Sequence, residues 1–338
     1  MIKETISRLV DDYSLSFEEA AGAMEEIMGD EATPAQIAAF ITALRIKGET
    51  VDEIAGLASV MRAKATPVKV NGPVIDIVGT GGDGSSTFNI STAAAFIAAG
   101  TGLKVAKHGN RAITSRCGSA DVLEALGVKI DLGADAVAEC IEKAGIGFMF
   151  APVFHPAMKY AAVPRREIGI RTVFNILGPL TNPAGAGYQV IGVPSEELGG
   201  KIAAVLHRLG TRHSLVVHSR DGMDEISVSG NSLVWDVTED GVAPPFEVSP
   251  QSFGFQEAST DEIKGGNPEE NAAILGGIFD GEKSPHRDAA VMNAAAAMVA
   301  GDKVADLQEG TRLAEETIDD GRAREKLNNM VKFSQSLG

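Results

Sequence analysis

The stretch PVIDIVGTGGDG, residues 73–84, decides the fold class of this sequence. Its apolar run at 74–78 predicts a buried strand, and the glycine-rich loop after it leads into FNISTAAAFIAAG, residues 88–100, which has the texture of a helix. LKVAKHGN, residues 103–110, then predicts a second strand that runs into a second loop. Strand, loop and helix repeated in this order are typical of a parallel sheet flanked by helices.

The same alternation continues toward the C-terminus. Further strands are expected at residues 128–132, 146–150, 188–193 and 213–219, and helices at 119–127, 134–145 and 195–209. Ser119 is expected to be the N-cap of the first of these helices. Residues 226–264 predict short antiparallel strands and turns, and the tail from Asn267 predicts helices.

The N-terminal part has a different pattern, with helical spacing and no strand signal. Ser16 and Glu19 form a capping-box pattern ahead of an apolar run, which predicts the start of a helix. We therefore expect an α/β protein with a small all-helical N-terminal domain, residues 1–64, joined by helices from about 165–180. A large α/β domain over residues 74–338 would hold a mostly parallel central sheet flanked by helices.

Charge and cysteine content limit the class of protein. The 338 residues include 46 Asp or Glu and 30 Lys or Arg, which gives a formal net charge of −16. Nucleic acids and anionic membranes need basic surfaces, so neither is expected as a partner. The 2 cysteines make no disulfide framework, and no segment has the apolar length of a signal peptide or a membrane span. We expect a cytoplasmic protein.

A basic cluster stands out in this acidic chain. KHGNRAITSRCGSADVLE, residues 107–124, contains Lys107, His108, Arg111 and Arg116. The cluster is either a solvated basic loop or a site for a densely anionic small molecule, which Lys can neutralise as a point charge and Arg as a fork. His108 is either a general base or a polar contact. Cys117, next to Arg116, is interpreted as a small buried residue, because no matching His and Asn support its acting as a nucleophile.

The glycine loop GTGGDGSSTFNIST, residues 79–92, follows a strand and precedes a helix. Its glycines would let backbone N–H groups approach phosphate oxygens at the helix start, or they would serve the geometry of a tight turn alone. Asp83 would repel a phosphate, and it is better suited to ribose hydroxyls or a metal-bound water. The residues leave both interpretations open.

Two further motifs carry charge. Asp224 and Glu225 follow the strand HSLVVHS, and adjacent carboxylates at a strand end are suited to Mg²⁺, although a solvated acidic turn gives the same pattern. In AAVPRREIGIRT, Arg165 has the chemistry to bind a substrate carboxylate as a fork, whereas Arg166 is better explained by pairing with Glu167. Together the motifs favour a diphosphate-bearing substrate with Mg²⁺, without naming that substrate.

GTGGDG, KHGNRAITSRCGSADVLEALG, HPAMKYAAVPRREIGIRTVFNILGPLTNPA and DGMDEIS, in this order and spacing, closely resemble the anthranilate phosphoribosyltransferase family. The helical start and the tail extend the resemblance over essentially the whole chain. The family joins anthranilate to the ribose C1 of phosphoribosyl pyrophosphate (PRPP) and releases pyrophosphate, the second step from chorismate to tryptophan. The resemblance implies a site in the cleft between the two domains, and a homodimer held through the helical domain.

The resemblance also assigns roles to individual residues. PRPP would be bound by Gly79, Gly82, Asp83, Thr87, Asn89, Ile90, Ser91, Thr92, Lys107, His108, Gly109, Asn110, Arg111, Ala112, Ile113, Thr114, Ser115 and Ser119. Anthranilate would be contacted by Asn110 and Arg165. Two Mg²⁺ ions are expected, one reached by Ser91 and one held by Asp224 and Glu225.

The chemistry implied by the resemblance needs no obligatory general base. The aryl amine is neutral at pH 7 and already nucleophilic, so the difficult steps are departure of pyrophosphate and formation of an oxocarbenium-like ribosyl centre. Lys107 and Arg165 would act by positioning and charge stabilisation, with inversion at C1. His108 is then expected to position substrate.

Three alternatives remain at this point. A pyrimidine nucleoside phosphorylase shares the expected fold, but its glycine-rich sequence after the lysine differs and lacks KHGNR. A non-catalytic nucleic-acid-binding relative should show a basic face and loss of the metal carboxylates, whereas this chain keeps Asp224 and Glu225. A different aromatic acceptor, such as a substituted anthranilate, is compatible with the same scaffold.

Overall fold

The computed structural model describes residues 1–112 and 116–337. Its N-terminal part consists of four helices: α1 (Ile2–Val10), α2 (Phe17–Met28), α3 (Pro34–Lys47) and α4 (Val51–Lys64). Helices α2, α3 and α4 each begin with a capping box, at Ser16, Thr33 and Thr50, in which side chain and backbone bond reciprocally. The predicted capping box at Ser16 is therefore confirmed.

An eight-stranded sheet forms the centre of the remaining chain. The strands are β1 (Ile75–Gly79), β2 (Val105–Gly109), β3 (Ile146–Phe150), β4 (Tyr188–Gly192), β5 (His213–Ser219), β6 (Ser232–Thr238), β7 (Gly241–Val242) and β8 (Phe246–Val248). The order is β3-β2-β1-β4-β5-β6-β7, with β8 also paired to β6. Strands β1 to β5 are parallel and β6 to β8 antiparallel, as the sequence predicted.

One predicted strand is wrong. Residues 128–132 form no strand, because their backbone bonds elsewhere. The N–H of Val128 donates to Leu123 at the end of the preceding helix, and the N–H of Lys129 donates to the Ser334 hydroxyl in the last helix. The segment packs between helices and leaves β3 as the edge of the sheet.

The helices of the α/β part lie between and after the strands. They are α5 (Ile90–Gly100), α6 (Ser119–Ala125), α7 (Ala134–Ala144), α8 (Ala151–Phe154), α9 (Lys159–Ile168), α10 (Phe174–Leu177), α11 (Glu196–Arg208), α12 (Pro268–Phe279), α13 (Pro285–Ala300), α14 (Leu307–Asp319) and α15 (Arg322–Ser336). In the described part of the chain, no helix is long and apolar enough to cross a membrane.

The predicted N-cap of α6 is also wrong, since Gly118 takes this position and Ser119 is the first helical residue. The Asp121 carboxylate accepts from the N–H groups of both Gly118 and Ala112. A Cβ at Gly118 would lie 2.4 Å from the Ala112 nitrogen. The loop from β2 therefore packs directly on the helix start, where a side chain does not fit.

Two large apolar cores flank the sheet. One is built around α5, which is buried over nearly its whole length and packs against α13 and α15. The other joins the N-terminal helices to α11, to residues of β4 and β5, and to α9 and α10. Helix α9 packs on α2 and α3, so the first four helices are attached beside the edge where the parallel strands end.

Candidate active site

Parallel strands end at one edge of the sheet, and the candidate site lies at the ends of β1, β4 and β5. Chain order reverses between the neighbours β1 and β4, which is where α/β sheets bind ligands. Gly79 and Gly192 are paired at these two strand ends. A Cβ at Gly79 would lie 2.3 Å from an Asp224 carboxylate oxygen, and one at Gly192 would lie 1.5 Å from the Asp224 carbonyl oxygen. Both glycines let Asp224 approach the sheet.

Three carboxylates meet at this point. Oxygens of Asp83, Asp224 and Glu225 lie within 4.8 Å of one another, and Asp224 accepts from the N–H of Gly81 at 2.7 Å. Burial and neighbouring charge raise the pKa of Asp224, and they raise the pKa of Glu225 well above its usual range. Among the described residues, Asp83 Oδ2 and Glu225 Oε2 are buried without a partner. An all-oxygen set with unpaired carboxylate oxygens is suited to Mg²⁺. The sequence had proposed the pair but not Asp83 as a ligand.

Lys107 lies buried beside this cluster. Its Nζ donates to the Ile77 carbonyl at 2.7 Å and to the Ser91 hydroxyl at 3.4 Å. Burial lowers the pKa of Lys107 to about 8, while the charges of Asp76 and Glu225 oppose that shift. The ammonium group is mostly charged at pH 7, and the predicted residue Ser91 lies next to it.

His108 and His155 form a buried pair, with ring centroids 5.0 Å apart. Burial lowers the pKa of His108 to about 3 and that of His155 to about 4, so both rings are neutral at pH 7. In the part of the chain that the structure covers, the Nε2 atoms of both rings are buried and unpartnered. Such a low pKa makes His108 a poor base and favours its interpretation as a polar contact. His155 was missed because HPAMK shows no catalytic pattern by itself.

The start of α5 carries several of the predicted PRPP residues. Asn89 occupies the N-cap position without capping the helix through its side chain. That side chain instead donates to the Cys117 carbonyl at 3.1 Å and accepts from Asn271 at 2.9 Å. Ile90 and Thr92 are buried in the first turn, whereas Thr87 lies in the loop before it. An N-terminal turn without a side-chain cap keeps N–H groups available to an anion.

The loop after β2 brings Gly109 and Asn110 close to Ser119. A Cβ at Gly109 would lie 2.2 Å from the Ser119 hydroxyl, which donates to the Asn110 carbonyl. Arg111, which was expected at the diphosphate, is paired here with Asp121 and Glu124 of α6. Contact between Arg111 and a ligand would therefore require an exchange of partners. The predicted residues Ile113, Thr114 and Ser115 lie outside the described residues.

The segment after β3 carries two arginines, Arg165 and Arg171, with different surroundings. The Arg165 guanidinium lies 5.0 Å from the ring centroid of Phe174, and burial lowers its pKa. Within the described ranges, Arg165 has no carboxylate partner. Arg171 donates to the Gly81 carbonyl at 2.7 Å, and a Cβ at Gly82 would lie 1.2 Å from its Nη1. Arg171 thus supports the glycine loop, a role that its sequence motif does not reveal.

Comparison with known proteins identifies the family. A model described as "Glycosyl transferase family, a/b domain" matches residues 71–324, and one for the helical bundle domain of that family matches residues 3–65. The chain is 59% identical to the anthranilate phosphoribosyltransferase of Dehalococcoides mccartyi over 100% of this chain and 99% of that one. The chain belongs to the anthranilate phosphoribosyltransferase family. The resemblance of the motifs to this family is confirmed.

Solved structures of anthranilate phosphoribosyltransferases agree in fold. The enzyme from Thermus thermophilus has a TM-score of 0.93 at 44% identity, over 98% of this chain and 99% of that one. The enzyme from Saccharomyces cerevisiae in complex with PRPP and Mg has a TM-score of 0.91 at 30% identity, over 99% of this chain and 98% of that one. A second structure of the yeast enzyme contains 4-fluoroanthranilate. The predicted fold class, a helical part beside an α/β part with a mostly parallel sheet, is confirmed.

Proposed function

We propose that this chain transfers the phosphoribosyl group of PRPP to the amine of anthranilate. The products are N-(5-phosphoribosyl)anthranilate and pyrophosphate, and the reaction is the second step from chorismate to tryptophan. One observation carries the proposal beyond family membership. The carboxylates of Asp83, Asp224 and Glu225 face the buried Lys107 ammonium at the carboxyl edge of the sheet. This arrangement has the charges needed for a metal-bound diphosphate.

The proposed PRPP site combines the glycine loop, the start of α5 and the end of β2. Its residues are those named for PRPP from the sequence, with Lys107 and the first turn of α5 closest to the phosphate groups. We propose two Mg²⁺ ions per subunit, one held by Asp224 and Glu225 and one reached by Ser91. Asp83 is proposed as a third carboxylate close enough to help hold these ions. The presence of PRPP and Mg in the yeast relative supports the choice of metal.

Anthranilate is proposed to bind between Asn110 and Arg165. The Arg165 guanidinium, desolvated over Phe174, is available to take the anthranilate carboxylate as a fork. His108 and His155 are neutral at pH 7 and would present polar ring atoms without adding charge. An anthranilate analogue in the yeast relative supports an acceptor of this class.

The reaction breaks the bond from C1 to the pyrophosphate oxygen and forms a bond from C1 to the amine nitrogen. Bound Mg²⁺ supplies charge neutralisation of the diphosphate. Lys107 stabilises the negative charge that grows on the leaving group, and Arg165 aligns the amine for attack from the opposite face, with inversion at C1. As the new bond forms, the amine nitrogen gives up one proton, which passes to solvent or to the released pyrophosphate. No side chain has to remove it beforehand, because the neutral amine is already nucleophilic.

The assembly is proposed to be a homodimer through the helical domain, taken as residues 1–64 with helices from about 165–180, beside the α/β domain at 74–338. Large apolar side chains on this helical part are exposed, including Val10, Tyr13 and Ile46. Three large apolar side chains exposed to this degree on one small helical part support a protein–protein interface there. A cytoplasmic location is proposed because Cys117 and Cys140 are free thiols.

The test of the function is pyrophosphate release by the purified chain. Release should require anthranilate, PRPP and Mg²⁺ together, and omission of any one should abolish it. Phosphate-dependent cleavage of a pyrimidine nucleoside, without pyrophosphate release from the two proposed substrates, would replace this function with that of a nucleoside phosphorylase. Release with other aromatic amines at equal efficiency would overturn anthranilate as the acceptor.

A further inference from the structure

The central sheet is not uniformly paired where the candidate site begins. Strand β1 is in register with β4 at five pairs, and β2 with β3 at five. Between β1 and β2, in contrast, the described residues give a single registered pair, Ile75↔Val105. Toward the carboxyl ends of β1 and β2, the edge that carries Lys107 and His108, the two strands stay adjacent without a further registered pair among the described residues.

Side chains form hydrogen bonds with main-chain groups of β1 and β2 in this region. Asp76 Oδ1 accepts from the backbone N–H of His108 at 3.2 Å. The Asn182 carboxamide donates to Asp76 Oδ2 at 2.7 Å and to the Ala106 carbonyl at 2.8 Å. On the neighbouring strand, the Ile77 carbonyl accepts from Lys107 Nζ. Backbone groups of both β1 and β2 are therefore hydrogen-bonded to side chains.

The Asp76–Asn182 pair is itself fixed. Asp76 is fully buried and Asn182 nearly so. The Asn182 carbonyl oxygen accepts from the N–H of Ala184 at 2.9 Å, which sets the orientation of its amide group. The NH₂ group of Asn182 thus faces the carboxylate, and the carboxylate faces the end of β2. Burying a carboxylate without such partners costs free energy, and a neutral acceptor would be enough to bond a single backbone N–H.

We propose that Asp76 and Asn182 are positioning residues for the transfer reaction, holding the main chain of β2 at Lys107 and His108. Both side chains bond main-chain groups and each other, and neither belongs to the proposed substrate or metal sites. Their effect passes through β2 to Lys107, and a small displacement of a charge-stabilising group is enough to slow a reaction strongly. The inference rests on the proposed function for its two readouts, kcat and PRPP binding.

The test is a reciprocal exchange. Asp76→Asn places an NH₂ group against either the NH₂ group of Asn182 or the N–H of His108, and Asn182→Asp places two buried carboxylates together. Each single variant should lower kcat by about 10-fold or more. The KM for anthranilate should change less, because its proposed contact Arg165 lies on α9 and not on β2. The double variant restores one donor and one acceptor between positions 76 and 182. Its kcat should exceed that of both single variants, without full recovery, because the Ala106 carbonyl loses its donor.

The controls separate positioning from stability. Leu215→Ala removes a buried side chain of β5 and should lower the melting temperature while kcat per folded enzyme is kept. PRPP binding by calorimetry gives a second readout, which should weaken in both single variants and recover in the double variant. If Asp76→Asn does not fold, Asn182→Ser, which removes the carboxamide without adding charge, should show the same loss of kcat.

Two results would overturn the inference. One is a single variant with wild-type kcat and wild-type PRPP binding, and the other is a folded double variant no better than either single one. A wild-type protein with no transferase activity would instead count against the proposed function. In that case PRPP calorimetry on the same variants still decides the role of Asp76 and Asn182.

Discussion

At the scale of single residues, the site depends on charges that are buried with few partners. Arg165 is half-buried over Phe174 and has no carboxylate partner among the described residues. Lys107 is similar, with a carbonyl and a hydroxyl as its neighbours. Cations left in this condition are suited to anionic ligands.

Replacing Arg165 with Ala should weaken anthranilate binding far more than PRPP binding. A charge-assisted hydrogen bond contributes about 1.5–3 kcal/mol, so the KM for anthranilate should rise by roughly 10- to 100-fold. Steady-state kinetics with each substrate varied in turn measure the two effects. Arg166→Ala, which changes the exposed neighbour, is the matched control and should leave both KM values unchanged. Equal losses for the two substrates in Arg165→Ala would remove this residue from the acceptor site.

Asp76 should give the protein a specific pH dependence of stability. Burial raises the pKa of this carboxyl from 3.8 to about 6 in the folded protein. Above pH 6 the charge is present in both states and its burial opposes folding. As the pH falls from 6 toward 3.8, the folded protein takes up a proton that the unfolded chain does not, so the folded state gains stability.

The comparison of wild type with Asp76→Asn isolates this effect. Between pH 7 and pH 4 the unfolding free energy of wild type should increase relative to that of Asp76→Asn by up to ~3 kcal/mol. Urea unfolding of both proteins at the two pH values measures the change. A difference between the two proteins that does not vary with pH would show that the Asp76 pKa is not raised.

At the scale of elements, helix α13 supports the loop that carries the metal carboxylates. The Asn293 side chain accepts from the N–H of Ile226 and donates to its carbonyl, both at 3.0 Å. Ile226 directly follows Glu225, so the two bonds set the backbone from which that carboxylate extends. The connection joins a helix near the end of the chain to the site.

Asn293→Ala should therefore weaken metal binding as well as stability. The two bonds to Ile226 are lost together with a third, to the Ala289 carbonyl. At about 0.5–1.5 kcal/mol per bond the stability cost is about 1.5–4.5 kcal/mol, and the Mg²⁺ concentration for half-maximal activity should rise about 5- to 10-fold. Titration of Mn²⁺ by electron paramagnetic resonance follows binding without activity. Met298→Ala, a cavity in the same helix, is the control for lost stability and should keep metal affinity. If both variants changed metal affinity equally, the effect of Asn293 would be one of stability alone.

The elements also show how far the sequence can predict this protein. The strand-to-loop junctions at residues 79 and 109 were predictable, because glycines and a change of periodicity mark them. The strand expected at 128–132 was wrong because its backbone partners include Ser334, which local sequence does not reveal. Asp83, Asp224 and Lys107 could be selected from the sequence, because each is a charged residue in a motif at a strand end. The roles of Asn182 and Asn293 could not be predicted, since their hydrogen-bond partners are distant in sequence.

At the scale of the whole molecule, the exposed apolar side chains bear on assembly. Ile46 at the end of α3 is 81% exposed and Tyr13 after α1 is 64% exposed. If the helical part forms the dimer interface, Ile46→Glu should place an unpaired charge there and shift the protein toward monomer. Light scattering coupled to size exclusion measures this. Phe246→Glu, at an exposed position on β8, should leave the mass unchanged, and an unchanged mass for Ile46→Glu would place the interface elsewhere.

The net charge of the whole molecule contrasts with the charges at the candidate site. A chain of net charge −16 has a buried lysine, Lys107, beside unpaired carboxylates at one sheet edge, an arrangement suited to a polyanion with a divalent cation. The intrinsic fluorescence of anthranilate tests this claim directly. With enzyme, anthranilate, PRPP and Mg²⁺ present, the signal should decay, and EDTA or omission of PRPP should stop the decay. A flat trace from folded protein with all components present would contradict the account.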